Sequence, residues 1–291
     1  MTITKTHLPK PANTLRIASF NLLNKALNME TRLQSLIEEL KIINPDVLCL
    51  QEVIETKEYP VLEILSSELG FITNFSDRTS IDNFTGKSSG PAILSKTKEE
   101  HYSSLSQTNL NLASPRPTLT SSFVYNGYKI YIMTTHLEWG SHASGRRTRQ
   151  AERISQYARG IREIEPQAII LLAGDLNCVE ESAAIRFLKG LEETKNGENT
   201  LWVDAWEASG NANNFVTSDP TLPLATTTAN LFGLSDTSVT PKRRIDYIFS
   251  YEWCYGKAGY PLTFERFADN REIPISDHFG IYSDILLPEQ A

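Results

Sequence analysis

Apolar and polar positions alternate along the chain in short runs that are interrupted by helical patterns. Leu15–Phe20 alternates with a period of two and predicts a strand. Over 31–44, Leu33, Leu36, Ile37, Leu40 and Ile43 recur at helical spacing until Pro45 closes the segment. Val47–Leu50 is a buried-strand run, and 61–69 a second helix that ends at Gly70. Leu119–Tyr125 and Lys129–Thr135 flank Asn126-Gly127, the sequence of a type I′ hairpin turn. A helix over 149–163, a strand over 168–173, a helix over 182–191 and strands over 245–250 and 279–287 follow. Residues 210–241 are rich in Asn, Thr, Ser and Pro and predict a long surface loop. Hairpins mixed with strand–helix alternation define an α/β or α+β chain. With no solenoid repeat and no low-complexity linker, the expected organisation is a flexible N-terminal tail over 1–13, carrying Pro9 and Pro11, and one domain over 14–291.

Six of the runs end in residues that are costly to bury. Phe20 is followed by Asn21, Leu50 by Gln51-Glu52, Thr135 by His136, and Gly174 by Asp175-Leu176-Asn177. Asp246 interrupts the apolar run 245–249, and Ser276-Asp277-His278 precede the last strand. An ionised group beside a core costs several kcal/mol, roughly, unless it is paired or metal-bound. A common cause is a site built where strand ends converge. Carboxylates with Asn, and no His/Cys cluster at ligand spacing, suit a hard cation, Mg²⁺ or Mn²⁺, and disfavour zinc. Two histidines near acids suit imidazoles that neutralise a phosphate or its leaving group. With no nucleophile elbow and no Gly-rich phosphate loop, water attack on a metal-polarised phosphoryl group is the economical mechanism.

Six segments carry a resemblance in the same order. They are Ser-Phe-Asn21, Leu-Gln-Glu52-Val, Thr-Thr-His136-Leu, Gly-Asp175-Leu-Asn177, Arg244-Ile-Asp246-Tyr-Ile and Ser276-Asp277-His278-Phe-Gly. Over about residues 15 to 287 the chain resembles the endonuclease/exonuclease/phosphatase superfamily, which includes deoxyribonucleases, abasic-site endonucleases, inositol phosphatases and neutral sphingomyelinases. The resemblance implies a four-layer sandwich, two mixed β-sheets flanked by helices. It implies Glu52 as principal metal ligand, with Asn21 and Asp277 as ligands or orienters of metal-bound water. It implies Asp175 as the base for the attacking water and Asn177 as hydrogen-bond donor to the phosphoryl oxygens. His278 contacts the phosphate, Asp246 fixes its tautomer, and His136 is the second imidazole. One departure concerns His136: the deoxyribonuclease branch has an orienting carboxylate before a Pro-Ala pair, whereas Ser89-Gly90 precede Pro91-Ala92 here. His136 is therefore expected as a phosphate donor.

Charge then narrows the substrate. The chain has 291 residues, a net charge of −7 and a pI near 5.4, unlike a basic nucleic-acid coat protein. Its arginines crowd at Arg146, Arg147, Arg149 and Arg153, and again at Lys242-Arg243-Arg244, which suits an anionic group held at one place. Arg116, Arg146, Arg147 and Trp139 are the expected substrate contacts at the rim. The expected partner is a phosphate-containing substrate (a small molecule, a lipid headgroup or a nucleic-acid end), with a DNA or RNA nuclease as the alternative and an idle binding module as the second. The segment after His136 looks like the sphingomyelinase-like and tyrosyl-DNA phosphodiesterase-like branches. No obligate protein partner is evident. No window is apolar enough to span a bilayer and the N-terminus lacks a signal-peptide core, so the expectation is a cytoplasmic protein. Cys49, Cys178 and Cys254 are read as buried thiols, Trp202 and Trp206 as core, and His7, His101 and His142 as surface residues.

Overall fold

The computed structural model describes residues 7–25, 27–55, 57–76, 80–81, 88–105, 116–194, 197–210, 216–231, 241–252, 257–269 and 274–289. Two sheets are formed. The first runs β12 (Glu265–Phe267), β13 (Gly280–Leu286), β1 (Thr14–Asn21), β2 (Val47–Ile54), β5 (Ser88–Ser95) and β3 (Thr73–Ser76), with β4 (Ser80–Ile81) also paired to β5. The second runs β10 (Trp202–Asp204), β11 (Asp246–Tyr251), β9 (Ile169–Asp175), β8 (Tyr128–His136), β7 (Thr118–Tyr125) and β6 (His101–Leu105). Both are mixed: β1 pairs parallel with β2 and antiparallel with β13, and β8 pairs parallel with β9 and antiparallel with β7.

The period-two runs explain the layering, because alternate side chains of a strand leave opposite faces. Leu15, Ile17, Val47 and Cys49 face Ile130, Ile132, Leu171 and Ala173 between the sheets. The intervening Ala18, Phe20, Leu48 and Leu50 pack outward against Leu36 and Leu40 of α1 (Met29–Ile43) and Leu62 and Leu65 of α2 (Val61–Leu69). Met133, Ile170 and Leu172 pack against Ile154 and Ala158 of α3 (Ser144–Ile164) and Ile185 of α4 (Ala183–Leu188). The result is the four-layer α/β sandwich that the resemblance implied. Asn126 and Gly127 both have positive φ, 49° and 81°, as a type I′ turn requires.

Several sequence expectations are corrected. Residues 7–13 of the expected tail lie against the body: Leu8 accepts from Arg16, Lys10 pairs with Asp46, and Pro11 accepts from Thr14. His7 is not a surface residue, since its side chain is 4% exposed beside Glu39 and Tyr282. His101 and His142 are exposed as expected. α3 begins at Ser144, one and a half turns before the predicted start, so Arg146 and Arg147 stand on its first turn and not on a loop. The predicted loop at 210–241 contains α5's C-terminal neighbour α6 (Pro223–Leu231), α5 being Ala205–Ala208, and a buried stretch at Thr217 and Asp219. Trp202 is core, whereas Trp206 is only partly buried. Cys49 and Cys178 are buried and free, and Cys254 lies outside the described residues.

One close approach fixes where the site can form. Gly174 has φ +154°, and a Cβ there would lie 2.1 Å from the Thr135 carbonyl oxygen of β8. Only glycine lets β9 come this near immediately before Asp175. Gly174→Ala is expected to lower unfolding stability by about 3 kcal/mol or more, from overpacking and backbone strain together. Urea denaturation measures it, and a loss under about 1 kcal/mol would show that the strands have room to separate.

Candidate active site

Register brings the polar strand ends together. His136 of β8 and Asp246 of β11 both pair with Asp175 of β9, one on each side, so the three side chains leave neighbouring strands at one level. Asp175 is 1% exposed. Asn21, at the end of β1, reaches across from the other sheet: its amide nitrogen donates to Asp175 Oδ2 at 3.0 Å and to Glu52 Oε1 at 3.3 Å.

Glu52 arrives by a different device. In regular pairing Gln51 stands opposite Asn21, but β2 is bulged between Leu50 and Val53 and Glu52 adopts φ +57°. The bulge sends Gln51 inward, where it donates to Ser19 and Thr134, and turns Glu52 to the strand end. A left-handed non-glycine residue costs roughly 1–2 kcal/mol, and the Asn24 backbone N–H, donating to Glu52 Oε2 at 2.8 Å, helps offset it. Asn177 is also left-handed, with φ +49°. Its N–H donates to Asp175 Oδ1 at 2.8 Å and its amide to the Leu137 carbonyl at 3.1 Å, leaving one amide hydrogen for a ligand.

The two imidazoles differ in kind. His278 Nδ1 lies 2.9 Å from Asp246 Oδ2, and its Nε2 lies 3.7 Å from Asp175 Oδ2. Burial alone would lower its pKa, but Asp246 and Asp175, with Asp277 behind them, hold it well above the ordinary value. His136 is held below the ordinary value by burial first, then by the charges of Arg116 and His278. Arg116 Nη1 sits 2.9 Å from His136 Nδ1. A guanidinium has no acceptor, so Nδ1 accepts and the proton of the neutral ring is on Nε2, 3.5 Å from Asp175 Oδ2. A cation, Arg116, thus stands beside His136 Nδ1. Asp175 itself is raised to about 7, by burial first and then by Asp246, against the lowering effects of His278, Asn177 and Asn21.

The rim residues divide. Trp139, three positions past His136, is 55% exposed, and Arg146 is half-buried, 4.0 Å from Glu138. Arg147 is buried and donates to the Glu138 and Gly140 carbonyls, which ties it to the loop instead of a phosphate. Lys242 pairs with Asp219 yet stays exposed, as does Arg243, whereas Arg244 is buried against Asp204 and Glu180 between the rings of Trp206 and Tyr247, so of this second basic run Arg244 alone is withdrawn from solvent. Thr217, within the segment whose composition predicts a surface loop, accepts from the Ile245 and Asp246 backbone N–H groups and so holds the Asp246 strand end.

Among the described residues, two groups of side chains stand close enough to hold an ion: Asp175, Asp246 and His278, and Glu180, Asp204 and Glu207. In the second, Arg244 and Lys189 already neutralise the carboxylates. Around the first, both histidines are engaged at Nδ1, while the Asp246 Oδ1 atom is buried without a hydrogen-bond partner. The donors left over are oxygens of Glu52, Asp277 and the buried carboxylates, a set that fits a hard divalent cation and not zinc. Asn21, with its nitrogen on two carboxylates and its oxygen accepting from Leu23 N–H, is arranged as an orienter.

Fold and strand-end site together define an Endonuclease/Exonuclease/phosphatase protein, and the profile of that family matches residues 18–278, so the chain belongs to it. Among curated relatives, it is 29% identical over 158 residues to tyrosyl-DNA phosphodiesterase 2 of Danio rerio, covering 54% of this chain and 39% of that protein. It is 27% identical over 184 residues to the 5′-tyrosyl-DNA phosphodiesterase of Caenorhabditis elegans, covering 63% and 44%. The matched region is less than half the length of each relative. A Danio rerio TDP2 complexed with a single-strand DNA product superposes with a TM-score of 0.71 at 23% identity, over 94% of this chain and 98% of that one. The human nocturnin catalytic domain with bound sulfate gives 0.68 at 17% identity, over 95% and 94%. These likenesses establish the fold. The family is one of metal-dependent phosphoester hydrolases.

In metal-free protein the two site imidazoles should titrate on opposite sides of the ordinary histidine value. His278 is expected to stay an imidazolium through neutral pH and His136 to stay the neutral Nε2–H tautomer. Nitrogen-15 NMR distinguishes these states, and two ordinary titrations near 6.5 would contradict the geometry.

Proposed function

We propose that the chain is a Mg²⁺- or Mn²⁺-dependent phosphodiesterase that hydrolyses the ester by direct attack of water. The observation that carries this reading is the placement of Asp175, buried and raised to about 7, between two unlike imidazoles and beside Glu52. Glu52 and Asp277 would hold the cation, with Asn21 orienting Glu52. The cation, when bound, supplies Lewis-acid polarisation of the phosphoryl group and lowers the pKa of water. Asp175 is the base: burial and the neighbouring Asp246 make its carboxylate more basic than an ordinary one, which suits it to take a proton from the attacking water. The water oxygen bonds to phosphorus as the bond to the leaving oxygen breaks. The free Asn177 amide hydrogen, His136 Nε2–H and the His278 imidazolium donate to the oxygens on which charge grows. Asp246 keeps His278 charged and its ring fixed.

For the substrate we propose a phosphodiester at a nucleic-acid end that carries a tyrosyl adduct. The support is the names of the two curated relatives, with an exposed aromatic, Trp139, and a half-buried cation, Arg146, near the His136 strand end. A net charge of −7 argues for contact with one end and not for coating of a duplex. Residence in the cytoplasm is supported by the two buried free thiols, as expected of a reducing compartment.

Asp175→Asn should lower kcat about 10²–10⁴-fold with KM little changed, because a base acts in the transition state. Wild-type activity should vanish on chelation and return with Mg²⁺ or Mn²⁺. The assay is release of tyrosine from 5′-tyrosyl single-stranded DNA, run beside abasic DNA, plain single strands, sphingomyelin and inositol phosphates. Turnover that survives exhaustive chelation would sink the metal reading. A preference for long duplex DNA, with KM rising steeply with salt, would replace the end-acting enzyme with a nuclease.

A further inference from the structure

Arg32 lies in the first turns of α1, a place where an exposed helix cation is ordinary, yet it is 4% exposed. All five of its N–H bonds are spent on backbone carbonyls. Nε donates to Ile275 O at 2.6 Å. Nη1 donates to Lys25 O at 2.6 Å and Leu27 O at 3.3 Å. Nη2 donates to Leu22 O and, at 3.3 Å, to Leu23 O. These carbonyls belong to two segments only: the connection from β1 to α1, and the residue before Ser276-Asp277-His278.

Those two segments carry the residues assigned above to the cation. The first follows Asn21 and contains Asn24, whose N–H holds Glu52. The second contains Asp277, and it is tied to the first by the Ser276 hydroxyl donating to the Asn21 carbonyl at 2.6 Å. The first segment is not a regular structure able to hold itself: Leu23 has φ +56°, and its carbonyl is shared by Lys25 N–H and Arg32. The guanidinium also lies near enough to Glu52 and Asp277 to feel both charges. Burial draws its pKa down to about 10, so it remains a cation at neutral pH.

We propose that Arg32 is a positioning residue for the divalent cation. Its planar fork fastens Leu22, Leu23, Lys25 and Leu27 to Ile275 and so sets the spacing of Glu52, Asn21 and Asp277 before any cation arrives. Lysine cannot take the place of this fork, because three donors on one nitrogen cannot reach five carbonyls spread over two segments. The inference rests on the proposed assignment of these ligands, and the test separates the two.

Arg32→Lys, shown to be folded by circular dichroism, is titrated with Mn²⁺ and free ion is read by electron paramagnetic resonance. The expected result is a Kd about tenfold or more above wild type, the loss seen when groups behind metal ligands are removed. At saturating Mn²⁺, kcat should return to within about threefold of wild type, since no reacting group is lost. A lowered melting temperature with unchanged Kd would make Arg32 a structural residue and overturn the proposal. No Mn²⁺ binding by wild type would instead overturn the ligand assignment itself. A second measurement needs no variant: amide exchange at Leu23 and Asn24 in wild type, in EDTA and in Mg²⁺. Slow exchange in both is expected of a loop fixed by Arg32. Protection that appears only with Mg²⁺ would mean the cation organises the loop, and the proposal would fall.

Discussion

Burying the Asp175 carboxyl is the constraint around which this molecule is arranged. At 1% exposure, with Asp246 as its neighbour in register, its pKa is raised from an ordinary 3.8 to about 7. A carboxyl whose pKa is higher folded than unfolded contributes stability that is full at low pH and is lost as pH rises from about 3.8 to about 7. The fold therefore gives up stability at neutral pH to keep this group poised. Three contacts limit that loss: the Asn177 N–H, the Asn21 amide and the nearby His278 imidazolium favour the charged form.

The backbone carries a second share. Glu52 and Asn177 are left-handed without being glycine, and Gly174 permits a contact that no other residue allows. Strain of this kind persists only where surrounding structure over-determines it. Here the two packed sheets do so, since Asn21 from one meets Asp175 from the other and Thr217 pins the end of β11. Arg32 extends the same logic to the connection behind Asn21.

Much of this was legible in the chain. Alternation in 15–20 and 130–135 reports which side chains face the other sheet and which face a helix, because a strand has no other way to present them. Asn21, Glu52, His136, Asp175, Asp246 and His278 were legible because each breaks an apolar run where burial is unavoidable. The arginines were not. A guanidinium stands on a long stem, and sequence cannot say whether Arg147 turns to carbonyls, Arg116 to an imidazole or Arg244 to two acids. Arg32 was hidden for the same reason, being read only as part of a helix. The start of α3 was missed because Ser144-Gly145-Arg146 lacks apolar periodicity, and Thr217 because its role is to accept two backbone hydrogen bonds, which no pattern announces.

If the poised carboxyl is the centre of the account, its titration is the measurement that matters most. Carbon-13 NMR of the side-chain carboxyls in the metal-free protein, assigned through Asp175→Asn, follows that group alone. The account predicts that Asp175 takes up its proton with a midpoint about 7. A midpoint in the ordinary carboxylate range near 4 would contradict it, and would leave the site without a base suited to neutral pH.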